Sequence, residues 1–292
     1  MIKLALTDID DTLISYGRPC ASRHALDAIA AMYAAGLRVG PASGRVPWDL
    51  DRLFDGDREA YKTATLINGQ LGYIDGKLAW EIALPSEELA RIGALLGAYK
   101  GACLMIDDYG DRFAVGITAA EIQEFHGRFD RIGSVKKEVP NKKIIKANVH
   151  VASMDMLDDV RNLLASSTDA FDFVYPNPHA PLIDILPHGW GKHRGVERLR
   201  QELGVAPDEL VAFGDAENDL SVLRSVYHSV SVANAAPEVA RVCRWHIGAS
   251  ADDAVADALF DIARAAATQA MPAFMGEKNL NPDAVYEPLA RA

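Results

Sequence analysis

The opening of the chain constrains it most, because an apolar run of strand length ends abruptly in three carboxylates. The run covers residues 2–7, and Asp8, Asp10 and Asp11 follow it directly. Like charges held this close disfavour joint ionisation, and a multivalent cation removes that cost. Hard oxygen ligands beside a phosphate are typical of Mg2+ sites. From this stretch alone two interpretations stay open, a catalytic metal site and an ordinary acidic turn after a strand.

The spacing of the first two carboxylates would suit a catalytic site. Asp8 and Asp10 lie two residues apart, so in an extended segment both side chains face the same side. Ligands of open α/β sheets bind at the carboxyl ends of the strands. One carboxylate can attack there while the other handles a proton.

Composition excludes several classes of function. The 292 residues suffice for two domains, and 41 acidic against 30 basic residues give a formal charge of −11. This balance argues against a nucleic-acid-binding surface and against docking on anionic lipid. The three cysteines are too widely spaced for a metal or disulfide framework, and no apolar segment reaches membrane-spanning length. We therefore predict a cytoplasmic protein.

The flanks of the chain predict alternating strands and helices. A helix over residues 22–35, beginning at Ser22, leads to a strand over 37–41, so the polar turns at Asp8 and Ser43 should lie on one sheet edge. Later segments repeat the pattern. They are a helix over 47–54, a strand over 64–67, a hairpin over 71–80, a helix from Lys192 to 203, a strand over 210–213, a helix over 220–225, a strand over 227–232 and a helix over 251–267.

Between these flanks the pattern changes, which predicts an inserted α+β module. The predicted helices cover 86–99, 119–129 and 154–166, and the predicted strands cover 102–106, 113–117, 144–151, 171–175 and 181–186. The tail from residue 271 to 292 has three prolines and no periodicity, so it is either docked or disordered.

Four polar turns thus follow apolar segments. Each has an ordinary structural explanation alone, but together they match one phosphoryl-transfer site. They are the turn of Asp8 and Asp10, the turn of Ser43 and Gly44, Lys192 at a helix start, and the run from Gly214 through Asp215 and Asn218 to Asp219.

With these motifs the chain resembles the haloacid-dehalogenase-like hydrolase superfamily. About a hundred residues, 82–186, are inserted between the core segment that carries the Ser43 motif and the one that carries Lys192, which is similar to the cap position of the Cof-like type IIB sugar-phosphate phosphatases. His193 departs from the glycine that commonly follows this lysine. The resemblance implies an α/β fold, with a Rossmann-like parallel-sheet core at 1–81 and 187–268, an inserted α+β type IIB cap at 82–186, and a C-terminal tail at 269–292.

The resemblance also implies roles for the motif residues. Asp8 would be the nucleophile and Asp10 the general acid and base. Mg2+ would be held by Asp8, the carbonyl of Asp10 and Asp215. Phosphate would be bound by Ser43, Gly44, Lys192 and Asn218. Asp219 would orient Lys192 or a metal-bound water. Asn68 and Asn234 would lie in the pocket.

The implied function is a Mg2+-dependent phosphatase of a small phosphorylated metabolite, acting through an aspartyl-phosphate. A phosphomutase of the phosphomannomutase kind and a non-catalytic binding protein on the same fold remain alternatives. Substrate selection should reside in polar residues of the cap. The candidates are Asp107, Asp108, Tyr109, Arg112, His150 and His179.

Overall fold

The computed structural model describes residues 1–124, 133–176 and 180–289. The chain divides into two compact units, Met1–Trp80 with Gly191–Ala292, and Glu81–Trp190. Of the predicted helix over 119–129, the described part runs from Ala119 to Glu124, and His179 lies outside the described residues.

Strands alternate with helices in the first unit and dominate the second. In chain order, the strands are Leu4–Thr7 (β1), Arg38–Pro41 (β2), Ala64–Leu66 (β3), Leu71–Ile74 (β4), Lys77–Glu81 (β5), Ala102–Asp108 (β6), Asp111–Val115 (β7), Ser134–Val135 (β8), Lys146–Val151 (β9), Phe171–Val174 (β10), Leu182–Pro187 (β11), Leu210–Gly214 (β12), His228–Ser231 (β13) and Trp245–His246 (β14).

The helices are 6 to 15 residues long. They are Arg23–Ala34 (α1), Pro47–Leu53 (α2), Ser86–Gly97 (α3), Ala119–Glu124 (α4), Leu157–Ser167 (α5), Lys192–Glu202 (α6), Leu220–Ser225 (α7), Pro237–Val242 (α8) and Ala254–Thr268 (α9). Within the described residues, no helix combines the length and the apolar character needed to cross a bilayer.

A parallel sheet forms the centre of the first unit, with strand order β14-β13-β12-β1-β2. Thr7, the last residue of β1, pairs with Pro41 of β2 and with Phe213 of β12. All three strands therefore end at the same edge, and the polar turns after them meet there. The residues of β1 and β12 are buried throughout, as expected of strands covered on both faces.

Local sequence explains the elements that position this edge. The Ser22 hydroxyl accepts a hydrogen bond from the Ala25 amide and caps α1, and Gly36 ends the helix region with a left-handed φ of +76°. The apolar face of α1 packs against α9. A separate three-stranded sheet, β3-β4-β5, contains the predicted hairpin, whose turn residues Asp75 and Gly76 both have positive φ.

The second unit is a six-stranded sheet with strand order β10-β11-β9-β6-β7-β8. β6, β9, β10 and β11 pair antiparallel with one another in that sheet. Alternate residues of these strands pack on α3 and α5 in one apolar core, which includes Leu104 and Ile106 of β6 and Leu164 of α5. The connectivity is α+β, as the sequence predicted.

The tail docks on the first unit as far as the described residues extend. Met275 is buried, and the Phe274 ring lies 6.2 Å from the Phe213 ring. The amide of Asn281 donates to the carbonyls of Arg241 and Cys243 at the end of α8. These contacts decide between the two alternatives that the sequence left open.

Candidate active site

Asp8 follows β1 directly and is 5% exposed. Its amide donates to the carbonyl of Phe213 at 3.0 Å, which extends the parallel ladder to the carboxylate itself. The chain then turns tightly, because the Ile14 amide donates to Ile9 and the Asp11 amide donates to Ile14. Asp11 adopts a left-handed φ of +59° in this turn. The turn fixes where the backbone of Asp10 lies.

Lys192 is the first residue of α6 and is 2% exposed. Its Nζ donates to Oδ1 of Asp8 at 2.8 Å and to Oδ1 of Asp219 at 2.6 Å. Burial by itself would lower the pKa of Lys192, but the charges of Asp219 and Asp8 outweigh burial and raise it. A cation at a helix N-terminus is disfavoured by the helix dipole, so the two carboxylates account for the lysine's position.

Asp215 follows β12 and lies in the same cluster of charges. The Thr12 hydroxyl donates to Oδ1 of Asp215 at 2.6 Å. Oδ2 of Asp219 accepts from the amides of Asp215 and Ala216, at 3.1 and 3.3 Å. Burial, with the charge of Asp219 adding to it, raises the pKa of Asp215 from 3.8 to about 7. For Asp8, burial raises the pKa against the attraction of Lys192, and Asp219 and Asp215 reinforce the rise.

Within this cluster of carboxylates, Asp8 and Asp215 fit a divalent cation. Asp8, Asp215 and Asp219 each offer an oxygen within 4.8 Å of the others. The raised pKa values of Asp8 and Asp215 reflect burial of acidic groups whose charge is incompletely compensated, and a hard cation is the partner that oxygen-only ligands prefer. The sequence named Asp8, Asp215 and the Asp10 carbonyl as ligands. Both Asp219 oxygens already accept hydrogen bonds, so that residue is occupied within the protein.

The Asp10 side chain lies with Arg45 instead of with the cluster. Its Oδ2 accepts from Nε of Arg45 at 2.7 Å and its Oδ1 accepts from Nη2 at 2.5 Å. Asp49, in the first turn of α2, lies 3.9 Å from the guanidinium. Arg45 directly follows Ser43 and Gly44 in the sequence, and no role was predicted for it. No local pattern of residues predicts this ion pair, since it joins turns that are 35 residues apart.

The Ser43 loop follows β2 at the same edge. Ser43 is 1% exposed, its amide donates to Thr65, and its hydroxyl accepts from the Arg45 amide at 3.3 Å. Gly44 lies so close to Asn68 that an added Cβ would be 3.1 Å from the Asn68 amide oxygen. A side chain at Gly44 would therefore push against Asn68.

The predicted phosphate-binding Asn218 and the predicted pocket residue Asn234 are placed differently. Asn218 is half-buried, and its buried Oδ1 accepts no hydrogen bond from the described residues. Asn234 instead joins backbone groups, since its Nδ2 donates to the Asp11 carbonyl and its Oδ1 accepts from the Ser250 amide, both at 2.8 Å. Thr12 and Ser250 were not predicted as functional residues. Thr12 directly follows the three carboxylates, which is the one signal that could have identified it.

Several of the residues predicted to select the substrate form hydrogen bonds or ion pairs within the second unit. Asp107 accepts from Nε of Arg112 at 2.7 Å, Asp108 pairs with Lys142, and the Tyr109 hydroxyl donates to Glu81 at 3.1 Å.

Comparison with known proteins identifies the family. The sequence model described as haloacid dehalogenase-like hydrolase matches residues 5–259. A Bacillus subtilis protein named "Putative phosphatase YkrA" is 23% identical over 264 residues, 89% of this chain and 97% of that protein. An Arabidopsis thaliana protein named "Endoribonuclease YBEY, chloroplastic" is 41% identical over 80 residues, but these are 27% of this chain and only 14% of that protein.

A solved structure shows the same fold. The haloacid dehalogenase subclass IIB sugar phosphatase BT4131 has a TM-score of 0.71 and 22% sequence identity, and the match covers 88% of this chain and 97% of that one. The predicted fold class is therefore confirmed. Because the family model spans most of the sequence, this chain belongs to the haloacid dehalogenase-like hydrolases.

Proposed function

We propose that this hydrolase is a Mg2+-dependent phosphatase that releases phosphate from a small phosphorylated metabolite, a sugar phosphate or a similar ester. The observation that carries the proposal is the buried Asp8 carboxylate, which Lys192 holds beside the Asp215 carboxylate. The names of the Bacillus subtilis relative and of the structural neighbour support the class of phosphoric monoester hydrolases.

Asp8 is the nucleophile of the proposed reaction. Lys192 occupies Oδ1 of Asp8, so Oδ2 can attack phosphorus while the bond from phosphorus to the leaving oxygen breaks. The product of this step is an aspartyl-phosphate and an alcohol. A water then attacks the same phosphorus, the bond to Asp8 breaks, and inorganic phosphate leaves with the Asp8 carboxylate restored.

Asp10 moves the protons in both steps. It gives a proton to the leaving oxygen and later takes one from the attacking water. Both Asp10 oxygens accept hydrogen bonds from Arg45, so the Asp10 side chain must leave the guanidinium before it can reach the leaving oxygen. Its side chain is 47% exposed, which leaves room for that exchange.

The phosphate itself would be held by groups on three turns. The Ser43 hydroxyl, the Gly44 amide and the Lys192 ammonium are donors at the carboxyl edge of the sheet. Asn218 would add its amide. A bound Mg2+ would be held by Asp8, the Asp10 carbonyl and Asp215, and it would neutralise charge on the phosphate and on the attacking carboxylate.

The test is an assay of the purified protein against a panel of phosphorylated sugars and cofactors with Mg2+ present. We expect phosphate release by the wild type and a loss of several orders of magnitude for Asp8→Asn, which removes the nucleophile but keeps its shape. Asp27→Asn, an exposed residue of α1, is the matched control for the change in charge. Near-normal release by a folded Asp8→Asn variant would eliminate the mechanism. A product that keeps its phosphate on another carbon would identify a phosphomutase.

A further inference from the structure

One side chain ties together three loops behind the acidic turn. Asn234, in the loop between β13 and α8, donates to the Asp11 carbonyl and accepts from the Ser250 amide, both at 2.8 Å. The Ser250 hydroxyl donates to Oδ1 of Asp11 at 3.2 Å. We call this group of Asp11, Asn234 and Ser250 the asparagine clasp. It joins residues more than two hundred positions apart in the chain.

The asparagine clasp holds Asp11, whose backbone conformation needs support from surrounding residues. Asp11 is not a glycine, yet it has a left-handed φ of +59°. Such a conformation persists only where the surroundings fix it. Besides the clasp, the Tyr16 amide donates to the Asp11 carboxylate and the Asp11 amide donates to Ile14. Four hydrogen bonds thus hold one strained residue of the acidic turn, directly after Asp10.

An asparagine suits this place because both ends of its amide are used. Its NH2 group donates to a carbonyl and its oxygen accepts from an N–H. A side chain of the same size that lacks either the donor or the acceptor cannot replace it. The same loop also reaches the other acidic turn, since the amide of Ala236 donates to the Asp215 carbonyl at 2.9 Å. The loop after β13 therefore braces both turns that carry candidate metal ligands.

We propose that Asn234 is a positioning residue that sets the direction of the Asp10 carbonyl and thereby the affinity of the site for a divalent cation. The Asp10 carbonyl and the Asp11 nitrogen belong to the same planar peptide unit. A rotation about the N–Cα bond of Asp11 therefore changes the direction of the Asp10 carbonyl. This inference rests on the proposed function, in which that carbonyl is a ligand. Both ends of the Asn234 amide bind backbone groups, so in this role Asn234 acts through Asp11.

The direct test measures Mn2+ binding by electron paramagnetic resonance in the absence of substrate. We compare wild type with Asn234→Leu, which keeps the size but loses both hydrogen bonds, and with Ser250→Ala, which loses only the hydroxyl contact. Residues that orient metal ligands typically contribute 10- to 100-fold to metal affinity. We expect Mn2+ affinity to fall about tenfold or more in Asn234→Leu and to fall less in Ser250→Ala.

Asn281→Leu is the matched control. Asn281 also uses its side-chain amide to bind backbone carbonyls, but at the end of α8. We expect it to lower the unfolding temperature and to leave the Mn2+ affinity unchanged. High Mg2+ should restore phosphatase activity to Asn234→Leu, since the defect lies in cation affinity.

The outcomes separate this inference from the proposed function. If wild type releases phosphate but both clasp variants bind Mn2+ within twofold of wild type, the clasp proposal is wrong and the function stands. If wild type releases no phosphate but Asn234→Leu still loses Mn2+ affinity, the function is wrong and the positioning role stands. A wild type that binds no Mn2+ would overturn the clasp proposal as well.

Discussion

Replacing Lys192 by methionine tests the electrostatics of the site. Methionine has a similar length and no charge, so Lys192→Met leaves the volume filled but removes the shared partner of Asp8 and Asp219. Both carboxylates are nearly inaccessible, at 5% and 3% exposure. Removing one partner from a buried ion pair costs about 3–5 kcal/mol, because the remaining charge stays buried without compensation.

The loss of folding stability in Lys192→Met should depend on pH. The pKa of Asp8 is already raised by burial, and without Lys192 it rises further. A carboxyl whose pKa is higher in the folded state stabilises the fold at low pH, and this contribution disappears as the pH rises through that pKa. Lys192→Met should therefore lose less stability relative to wild type near pH 5, where the Asp8 carboxyl is neutral in both proteins, than above pH 8, in metal-free buffer.

Thermal unfolding followed by circular dichroism measures the effect. For a unit of this size, 3–5 kcal/mol lowers the unfolding temperature by roughly 6–20 °C. Adding Asp219→Asn should restore part of the loss, since it removes one unpaired charge. The control is Lys3→Met, whose exposed pair with Glu209 should be worth less than about 1 kcal/mol. If Lys192→Met unfolds at the temperature of Lys3→Met above pH 8, the reasoning about this pair is refuted.

Three further predictions concern the metal, a buried histidine and the tail. A chelator should abolish activity and Mg2+ should restore it, with Asp215→Ala requiring at least about tenfold more Mg2+ in a rate titration. Burial lowers the pKa of His228 from 6.5 to about 4, so its contribution of about 3 kcal/mol should be lost as the pH falls from 6.5 to 4. His228→Gln should flatten that part of a plot of unfolding temperature against pH. Met275→Ala should lower the free energy of unfolding by about 2–5 kcal/mol in denaturant titrations, because Met275 anchors the tail.

Much of the fold was predictable because local signals agree with it. Ser22 predicted the start of α1, and Asp75 with Gly76 predicted the hairpin turn, since each depends on the geometry of neighbouring residues. Apolar runs that end in polar residues predicted β1 and β12. The parallel pairing of those strands then explains why motifs far apart in sequence meet at one edge.

Other features had no local signal. β14 has only two residues, and it exists through its pairing with β13 and a bridge from Trp245 to Leu280 of the tail. The tail shows no periodicity because isolated contacts, such as those of Asn281, hold it. The ion pair of Asp10 with Arg45 and the clasp of Asn234 also join distant turns, so residue types alone could suggest a pocket role for Asn234 but not its partners.

The central claim is that Asp8 accepts the phosphoryl group, and trapping that intermediate tests it most directly. Enzyme quenched in acid during turnover is treated with borohydride, which reduces an acyl phosphate of aspartate to homoserine, and the peptide containing position 8 is sequenced by mass spectrometry. We expect homoserine at position 8 in wild type with substrate, and none without substrate or in Asp8→Asn. Rapid phosphate release with an unmodified Asp8, or a reduced residue at another position, would contradict the account.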